Sequence, residues 1–189
     1  MKLVMPAVLL FITTLFVTVS TCAQQKNYVG LNVTLENAGT SFRPKIGGLF
    51  ERQLTKRSGI ETGLYYRTYG QAGIFSYTDS SGSQIIPFTV SERYLSIPAL
   101  YRFYSRIINF AAGPTFDFYM GWRQKNSSSG LKIDAYDIDP NLSLGFLAKI
   151  SKRITLSKQF FLEPEVQINP MLASGRTYAG FGIAAKYGL

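Results

Sequence analysis

Two glutamates, Glu163 and Glu165, are the residues best placed for chemistry, because a spacing of two puts both carboxyl groups on one face of a β-strand. Two carboxyl groups in one buried site can have different pKa values, so that one serves as general acid and the other as general base. The sequence also supplies basic partners for the same face in Arg67, Arg102 and Lys149. We therefore expect the two glutamates to be held in ion pairs and not to catalyse a reaction.

The sequence contains no histidine, which excludes Ser–His and Asp–His catalytic arrangements together with the usual zinc sites. Asp134, Asp137 and Asp139 offer oxygen ligands for calcium, but their spacing matches no established loop, and the glycine of an EF-hand is missing. No glycine opens a helix that could cradle a phosphate. We expect no catalytic residue, no cofactor and no metal site.

The first residues form a segment that reads differently from the rest of the chain. Lys2 precedes an uncharged apolar run over 3–19, and small residues follow up to Ala23. This pattern predicts a secretory signal peptide over 1–23 and a single mature domain over 24–189. An uncleaved membrane helix and lipid attachment at Cys22 are the alternatives. Cys22 is the sole cysteine, so no disulfide is expected in the mature domain.

Apolar residues recur at every second position in eight stretches of the remaining chain, which is the period of a β-strand with one apolar face. An even number of such strands predicts an all-β fold, an eight-stranded antiparallel up-and-down transmembrane β-barrel. The predicted strands cover 27–35, about 43–54, 59–69, about 92–104, 107–120, a stretch from about 138, a stretch ending near Asn169, and 176–188.

The connections between these strands alternate between short and long. Short turns are predicted at 54–58, at 105–106 and within 151–159, whereas long loops rich in serine and glycine are predicted at 70–91 and 123–136. Outer-membrane barrels have short periplasmic turns and longer external loops. The sequence therefore predicts the cell outer membrane as the location. We expect outer-membrane lipids and the barrel-assembly machinery as partners, with an unknown protein at the two long loops.

Charged residues collect on the strand face opposite the apolar one. The interior of an eight-stranded barrel is just wide enough for side chains to fill, and a mixed set of charges can neutralise itself there. We predict a closed, ion-paired lumen, with a lipocalin-like barrel whose polar face is outside as the alternative. The lumen residues are Lys45, Glu51, Glu61, Arg67, Arg102, Asp117, Lys149, Glu163, Glu165 and Lys186.

Aromatic residues gather toward both ends of the predicted strands, where rings with a polar tip settle at the headgroup level of a bilayer. The predicted belt comprises Tyr66, Tyr69, Tyr101, Phe103, Phe118, Trp122 and Tyr187, with Tyr65 and Tyr119 also assigned to the outer rim and Tyr104 to the periplasmic rim. The formal charge of +9 suits anionic headgroups. Scattered basic residues argue against nucleic acid as a partner.

Four segments resemble the outer-membrane β-barrel domain family common in Bacteroidota. They are YLSIPALYRF at 94–103, FAAGPTFDFYMG at 110–121, LTKRSGIETGLYYRTYG at 54–70 and FLEPEVQINP at 161–170. The resemblance implies a small barrel integral to the outer membrane, mostly without an assigned activity, and some relatives serve a secretion or gliding apparatus. It implies no catalytic residues.

The function that these observations favour is a non-enzymatic surface-interaction or structural component of the cell envelope. An accessory subunit of a secretion or gliding apparatus and a periplasmic lipocalin-like binding barrel are the alternatives.

Prolines within or beside the strands lack the backbone N–H that would bond to the neighbouring strand. We therefore expect prolines at bulges, strand starts or rims, namely Pro98, Pro114, Pro140 and Pro164.

Overall fold

A computed structural model describes residues 26–37, 39, 41–79, 82–127, 141–172 and 174–189. The predicted signal peptide lies outside these residues, so its cleavage and the domain boundary at residue 24 stay predictions. Pro140 and the three aspartates of 134–139 lie outside them as well. Within the described part of the chain, no helix is long and apolar enough to cross a membrane.

The described chain forms one antiparallel sheet whose strands follow one another in sequence order. β6 pairs with β8 and β9 pairs with β1, so eight strands close into a ring, while the two-residue β7 pairs with β8 inside a turn. The all-β, up-and-down barrel is confirmed. Its strands are β1 Asn27–Asn37, β2 Phe42–Gln53, β3 Ser58–Asp79, β4 Gly82–Tyr104, β5 Asn109–Ser127, β6 Leu142–Ser151, β7 Ile154–Thr155, β8 Phe160–Pro170 and β9 Thr177–Gly188.

The ring closes between the first and the last strand over the whole of β1. The register runs from Tyr28 opposite Gly188 to Asn37 opposite Ala179. Beyond the last paired residue, the Leu189 amide donates to the Asn27 carbonyl at 2.9 Å. Pairing along this seam leaves the barrel without an open edge, which is how a closed sheet satisfies its backbone groups.

The strands fall into two length classes. β1, β2, β6, β8 and β9 have 10 to 12 residues, close to the length that crosses a bilayer at a tilt, whereas β3, β4 and β5 have 22, 23 and 19. The additional residues of β3, β4 and β5 form a protruding sheet on one side of the barrel mouth. β3 and β4 stay paired from Gly70 opposite Ser91 to Asp79 opposite Gly82.

The predicted loop over 70–91 is therefore wrong, because that segment is a hairpin. Its Ser- and Gly-rich tip is flanked by Ile, Phe, Tyr, Thr and Val, which favour strands, and the tip alone makes the turn. The second predicted loop, 123–136, begins too early as well, since β5 continues to Ser127; its remainder lies outside the described residues.

The barrel has two unlike ends. The turn end carries the connections 54–57, 105–108 and 152–159, and both Asn27 and Gly188 lie there. Its turns are tightly bonded: the Leu54 amide donates to the Ser58 carbonyl, and the Leu156 amide donates to the Phe160 carbonyl, each at 2.9 Å. The opposite, hairpin end carries the protruding sheet. The short turns fall where the sequence predicts them.

The strand prolines do not lie where we expected. Pro98, Pro114 and Pro164 lie inside continuous strands, while the register shifts of β4 and β5 occur between Thr89 and Val90 and between Arg93 and Tyr94. Pro98 still faces Thr115 across the sheet, and its carbonyl accepts a hydrogen bond from the Thr62 hydroxyl at 2.8 Å. A side-chain donor thus engages the backbone at this position without a bulge.

Candidate functional site

Exposure alternates along the eight barrel strands wherever their side chains are described, and its sense is the reverse of that in a soluble protein. The outer face is apolar and open: Leu31 is 68% exposed, Val166 63% and Phe181 58%. The inner face is ionic and closed, with Glu51, Arg102 and Glu163 each at 0%. Burial of charge on this scale is tolerated only where each charge is paired and hydrogen-bonded. The lumen is therefore the candidate site.

A turn-side cluster of Glu51, Glu61, Glu163, Arg102 and Lys186 fills the lumen toward the turn end. Arg102 contacts all three carboxylates, with its Nη1 3.2 Å from Glu51 Oε2. Lys186 contacts the same three, with its Nζ 2.7 Å from Glu51 and 3.4 Å from Glu61. The five residues come from β2, β3, β4, β8 and β9, so this cluster ties opposite walls of the ring together.

Lys149 extends this network along the lumen axis. Its Nζ donates to Glu61 and, at 3.0 Å, to Glu165, which also accepts a hydrogen bond from Asn32 at 2.8 Å. Glu163 and Glu165 share the inner face, but each is bound to different cations. That arrangement holds both glutamates in ion pairs.

A hairpin-side cluster of Glu36, Lys45, Arg67 and Asp117 lies further along the lumen. Arg67 binds Glu36 at 2.8 Å through Nη2 and Asp117 at 2.9 Å through Nη1, and Lys45 lies 3.0 Å from Glu36. The Arg67 guanidinium also lies over the Tyr178 ring, 4.0 Å from its centroid. Arg67 thereby connects the walls formed by β1, β3, β5 and β9.

At the hairpin end, Arg176 closes the ionic series. Its Nη2 donates to Glu92 at 3.1 Å, and its guanidinium lies 4.1 Å from the centre of the Tyr69 ring. Burial lowers the pKa of Arg176, but the hydrogen bond and the negative charge of Glu92 outweigh it and raise that pKa above its ordinary value. Arg176 therefore stays charged beside the mouth of the barrel.

The structure places every predicted lumen residue on the buried inner face; a structural role for them stays a prediction. Sequence reasoning left out Glu36, Glu92, Arg153 and Arg176. Glu36 continues the inner parity of β1 one residue past the predicted end of that strand. Glu92 and Arg176 are the first residues of two predicted strands, and their positions in the alternating pattern are those of inward-facing residues. Arg153 lies in a turn, where no periodicity marks it; it binds Glu51 at 2.6 Å.

The ion pairs of the described residues balance. They join seven acids to seven bases, so the charge of the paired set sums to zero. The acids are Glu36, Glu51, Glu61, Glu92, Asp117, Glu163 and Glu165, and the bases are Lys45, Arg67, Arg102, Lys149, Arg153, Arg176 and Lys186.

No group of three or more His, Cys, Asp or Glu residues that could hold a metal ion occurs in the described ranges. The chemistry that the lumen can perform is cohesion: it holds eight strands together through their inner face. Within the turn-side cluster, Glu51, Arg102 and Glu163 have no exposed surface.

The predicted aromatic belt divides between the two faces. Tyr66, Tyr101, Phe103 and Phe118 are 41–57% exposed on the outer face, and Tyr187 lies against Phe160 with ring centroids 5.1 Å apart. Trp122 is half-buried in β5. Tyr69 does not belong to the belt. It has the inner parity of Arg67 and packs edge-on against Tyr178 at 5.7 Å.

Tyr65, Tyr104 and Tyr119 are also misplaced by the rim predictions. Tyr104 is 9% exposed, and its hydroxyl donates to Glu51 at 2.7 Å inside the lumen. Tyr65 is 4% exposed and packs inside with Leu49 and Ala184. Tyr119 has the inner parity of Asp117, and its ring lies 5.7 Å from that of Tyr94. The prediction weighed residue type and nearness to the rim but not strand parity, which decides the face.

No protein-family model matches the chain, and no curated protein matches it. The resemblance to the Bacteroidota barrel family thus stays a prediction. Among solved structures, the chain is similar to Ail, the attachment invasion locus protein of Yersinia pestis, solved with the heparin analogue sucrose octasulfate. The identity is 9%, the match covers 87% of this chain and 97% of Ail, and the TM-score is 0.42.

It is also similar to the N-terminal β-barrel domain of Pseudomonas aeruginosa OprF, with 15% identity, 87% and 100% coverage and a TM-score of 0.40. A de novo designed transmembrane β-barrel matches with 12% identity, 87% and 95% coverage and a TM-score of 0.38. Likeness at this level decides nothing about what the chain binds, so its own residues must supply the argument.

Proposed function

We propose that the protein is an integral outer-membrane β-barrel with a closed lumen, and that it acts without catalysis as a surface-interaction component of the envelope. The observation that carries the proposal is the reversed exposure of its two faces. In water, the uncovered outer side chains would forgo the burial that stabilises a folded chain, whereas in hydrocarbon they are solvated. A lipocalin-like barrel needs the opposite polarity, with apolar residues such as Phe181 turned inward.

Extraction from membranes tests the location. An integral barrel resists salt and osmotic washes, needs detergent for release, and migrates differently on a gel before and after heating. The unheated sample should run as a compact species, because the closed sheet withstands mild denaturant. Release of the protein by osmotic shock alone would contradict membrane integration.

Electrical recording tests the closed lumen separately. We expect the purified barrel to insert into planar bilayers without stable conductance, since Arg102 and Lys186 span the lumen between carboxylates of opposite walls. As a matched control, Arg102→Gly and Lys186→Gly together remove the two long cations and should make small openings detectable. A steady conductance of the unaltered protein would rule out a closed lumen.

The protruding sheet supports the interaction role, because one of its edges is open. The register between β2 and β3 ends at Ile46 opposite Tyr66, and within the described ranges 72–79 pairs only with β4. This edge contains no Lys, Arg or Pro, the residues that usually prevent an exposed strand from pairing with another chain. An edge of this kind accepts an extended segment of another protein as an added strand.

A shortened hairpin tests this role. Replacing 71–90 by a two-residue turn should leave the gel mobility shift intact and abolish cross-links that the full-length protein forms at the cell surface. A Lys152→Gln, Lys158→Gln variant, altered at the opposite end, serves as the control and should keep those cross-links. Their survival in the shortened protein would contradict the proposal. A cross-linked partner from a secretion or gliding apparatus would favour an accessory role there.

A further inference from the structure

The charged side chains in the three turns of the turn end are all basic. Of the eleven acidic residues in the chain, seven are bound inside the lumen, and the other four are Asp79 at the hairpin tip and three within 128–140. No Asp or Glu side chain is therefore exposed in the turns 54–57, 105–108 and 152–159. Exposed bases occupy all three turns: Lys56, Arg57, Arg106, Lys152 and Lys158.

Three of these bases line one groove. It has a volume of about 680 Å³ and lies between the β2–β3 and β4–β5 turns, bounded by Lys56, Arg57, Phe103, Tyr104, Ser105 and Arg106. The two turns are bonded together, since the Tyr104 amide donates to the Arg57 carbonyl at 2.9 Å.

The turn that carries Lys56 and Arg57 is internally braced. The Thr55 hydroxyl accepts hydrogen bonds from the Arg57 amide at 3.1 Å and from the Ser58 amide at 3.0 Å. The cations consequently project from backbone that is already fixed, which lowers the entropy lost when they bind a ligand.

The groove is amphipathic, because one wall belongs to the apolar outer face. Phe103 lines the groove and is 43% exposed, and Tyr101, two residues further along the same face of β4, is 57% exposed. Ile107, in the adjacent turn, is 73% exposed. A ligand with a negative head and a hydrocarbon tail matches both walls, whereas a wholly polar anion leaves the aromatic wall uncovered.

We propose that this groove binds the phosphate of an anionic glycerophospholipid in the periplasmic leaflet, with the acyl chains lying along Phe103 and Tyr101. The proposal rests on the membrane location proposed above. Lys and Arg near an anionic membrane surface each contribute about fivefold in affinity, and the two turns bring three together where no exposed carboxylate competes. The site would select lipid charge and not a particular headgroup alcohol.

A tryptophan beside the groove can report on the lipids that occupy it. The chain has one tryptophan, Trp122 in β5, so Trp122→Phe with Phe110→Trp moves the only indole to the residue opposite Phe103 in the sheet. This reporter protein is placed in phosphatidylcholine vesicles that contain a small fraction of brominated phosphatidylglycerol or brominated phosphatidylcholine. Quenching then measures which lipid lies beside the groove.

We expect the brominated anionic lipid to quench more strongly than its mole fraction predicts, and salt to weaken this excess. Lys56→Gln, Arg57→Gln and Arg106→Gln together should reduce the preference about tenfold or more. The control neutralises Arg93, Arg123 and Lys125, exposed residues of the hairpin end, to glutamine and should leave the preference unchanged. Equal quenching by both lipids, or equal loss in both triple variants, would overturn the proposal.

Two competitors separate other sources of negative charge. Soluble glycerol phosphate that displaces the lipid at similar concentration would assign the groove to free phosphates, and a response to polyglutamate but not to the lipid would assign it to an acidic soluble partner. Either result overturns the lipid proposal. The gel mobility shift, measured on the same samples, distinguishes failure of this site from failure of membrane integration.

Discussion

The inner and outer faces of the same strands obey different rules. On β8, Glu163, Glu165 and Gln167 face inward and are at most 4% exposed, whereas Val166 and Ile168 face outward and are 63% and 49% exposed. Arg102 binds Glu163 and Lys149 binds Glu165, whereas the outer side chains need only apolar surroundings. The inner face should therefore be intolerant of most changes, and the outer face tolerant of all but charge.

The largest effect is expected from removing one lumen cation. Arg102→Met removes one cation from each of Glu51, Glu61 and Glu163 and leaves Glu163 to Lys186, so the free energy of unfolding should fall by about 3–5 kcal/mol. Urea unfolding of the barrel in lipid vesicles measures it. Arg153→Met is the matched control, because that side chain is 19% exposed and water can replace it; its loss should be clearly smaller. Equal losses would mean that burial of the ion pairs is not what matters.

A charge on the outer face should cost somewhat less and should depend on position. Leu144→Arg places a cation on the outer side of β6, where we expect a loss of about 2–4 kcal/mol in a bilayer. The same change at Ile107, in a turn, should cost about 0–1 kcal/mol. Unfolding in vesicles compares the two. If Leu144→Arg were as harmless as Ile107→Arg, the outer face would not lie in hydrocarbon.

Strand spacing provides a smaller effect that again separates the faces. Gly182 approaches β1 so closely that an added Cβ would lie 2.6 Å from the Val33 carbonyl oxygen. Gly182→Val must push β1 and β9 apart and should cost about 1–3 kcal/mol. Ala185→Val, on the outer face of the same strand, meets no such crowding and should change stability by less than about 0.5 kcal/mol. A similar loss of stability in both variants would mean that the close approach of β1 and β9 at Gly182 is not its cause.

Period-two alternation was sufficient to predict the architecture, because an apolar outer face and a packed ionic inner face impose it on the barrel strands. It predicted the inner residues of β3 and β8 correctly, including Glu61 and Arg67. It was less informative at strand ends, where Glu36 and Glu92 were left out. The β3–β4 hairpin was missed because its serines and glycines were given more weight than the strand-forming residues around them.

The sequence predicts Arg67, Arg102 and Lys149 as candidate partners of the two glutamates, but it does not assign which cation meets which carboxylate. That Arg102 meets Glu163, or Arg67 meets Glu36, depends on the tilt and stagger of strands around the ring, and no local pattern encodes these. Tyr69 shows the same limit. Its residue type suits the headgroup level of a membrane, but its position in β3 directs the ring inward, where it packs against Tyr178.

The seam between β1 and β9 also dictates when the molecule can finish folding. Tyr28 pairs with Gly188, so the contact that seals the barrel joins its first strand to its last. It is among the most distant contacts in sequence, and such contacts form late and slowly. The sheet therefore has two unpaired edges until β9 meets β1, and a chain arrested before β9 would remain an open, aggregation-prone sheet and a target for chaperones and proteases.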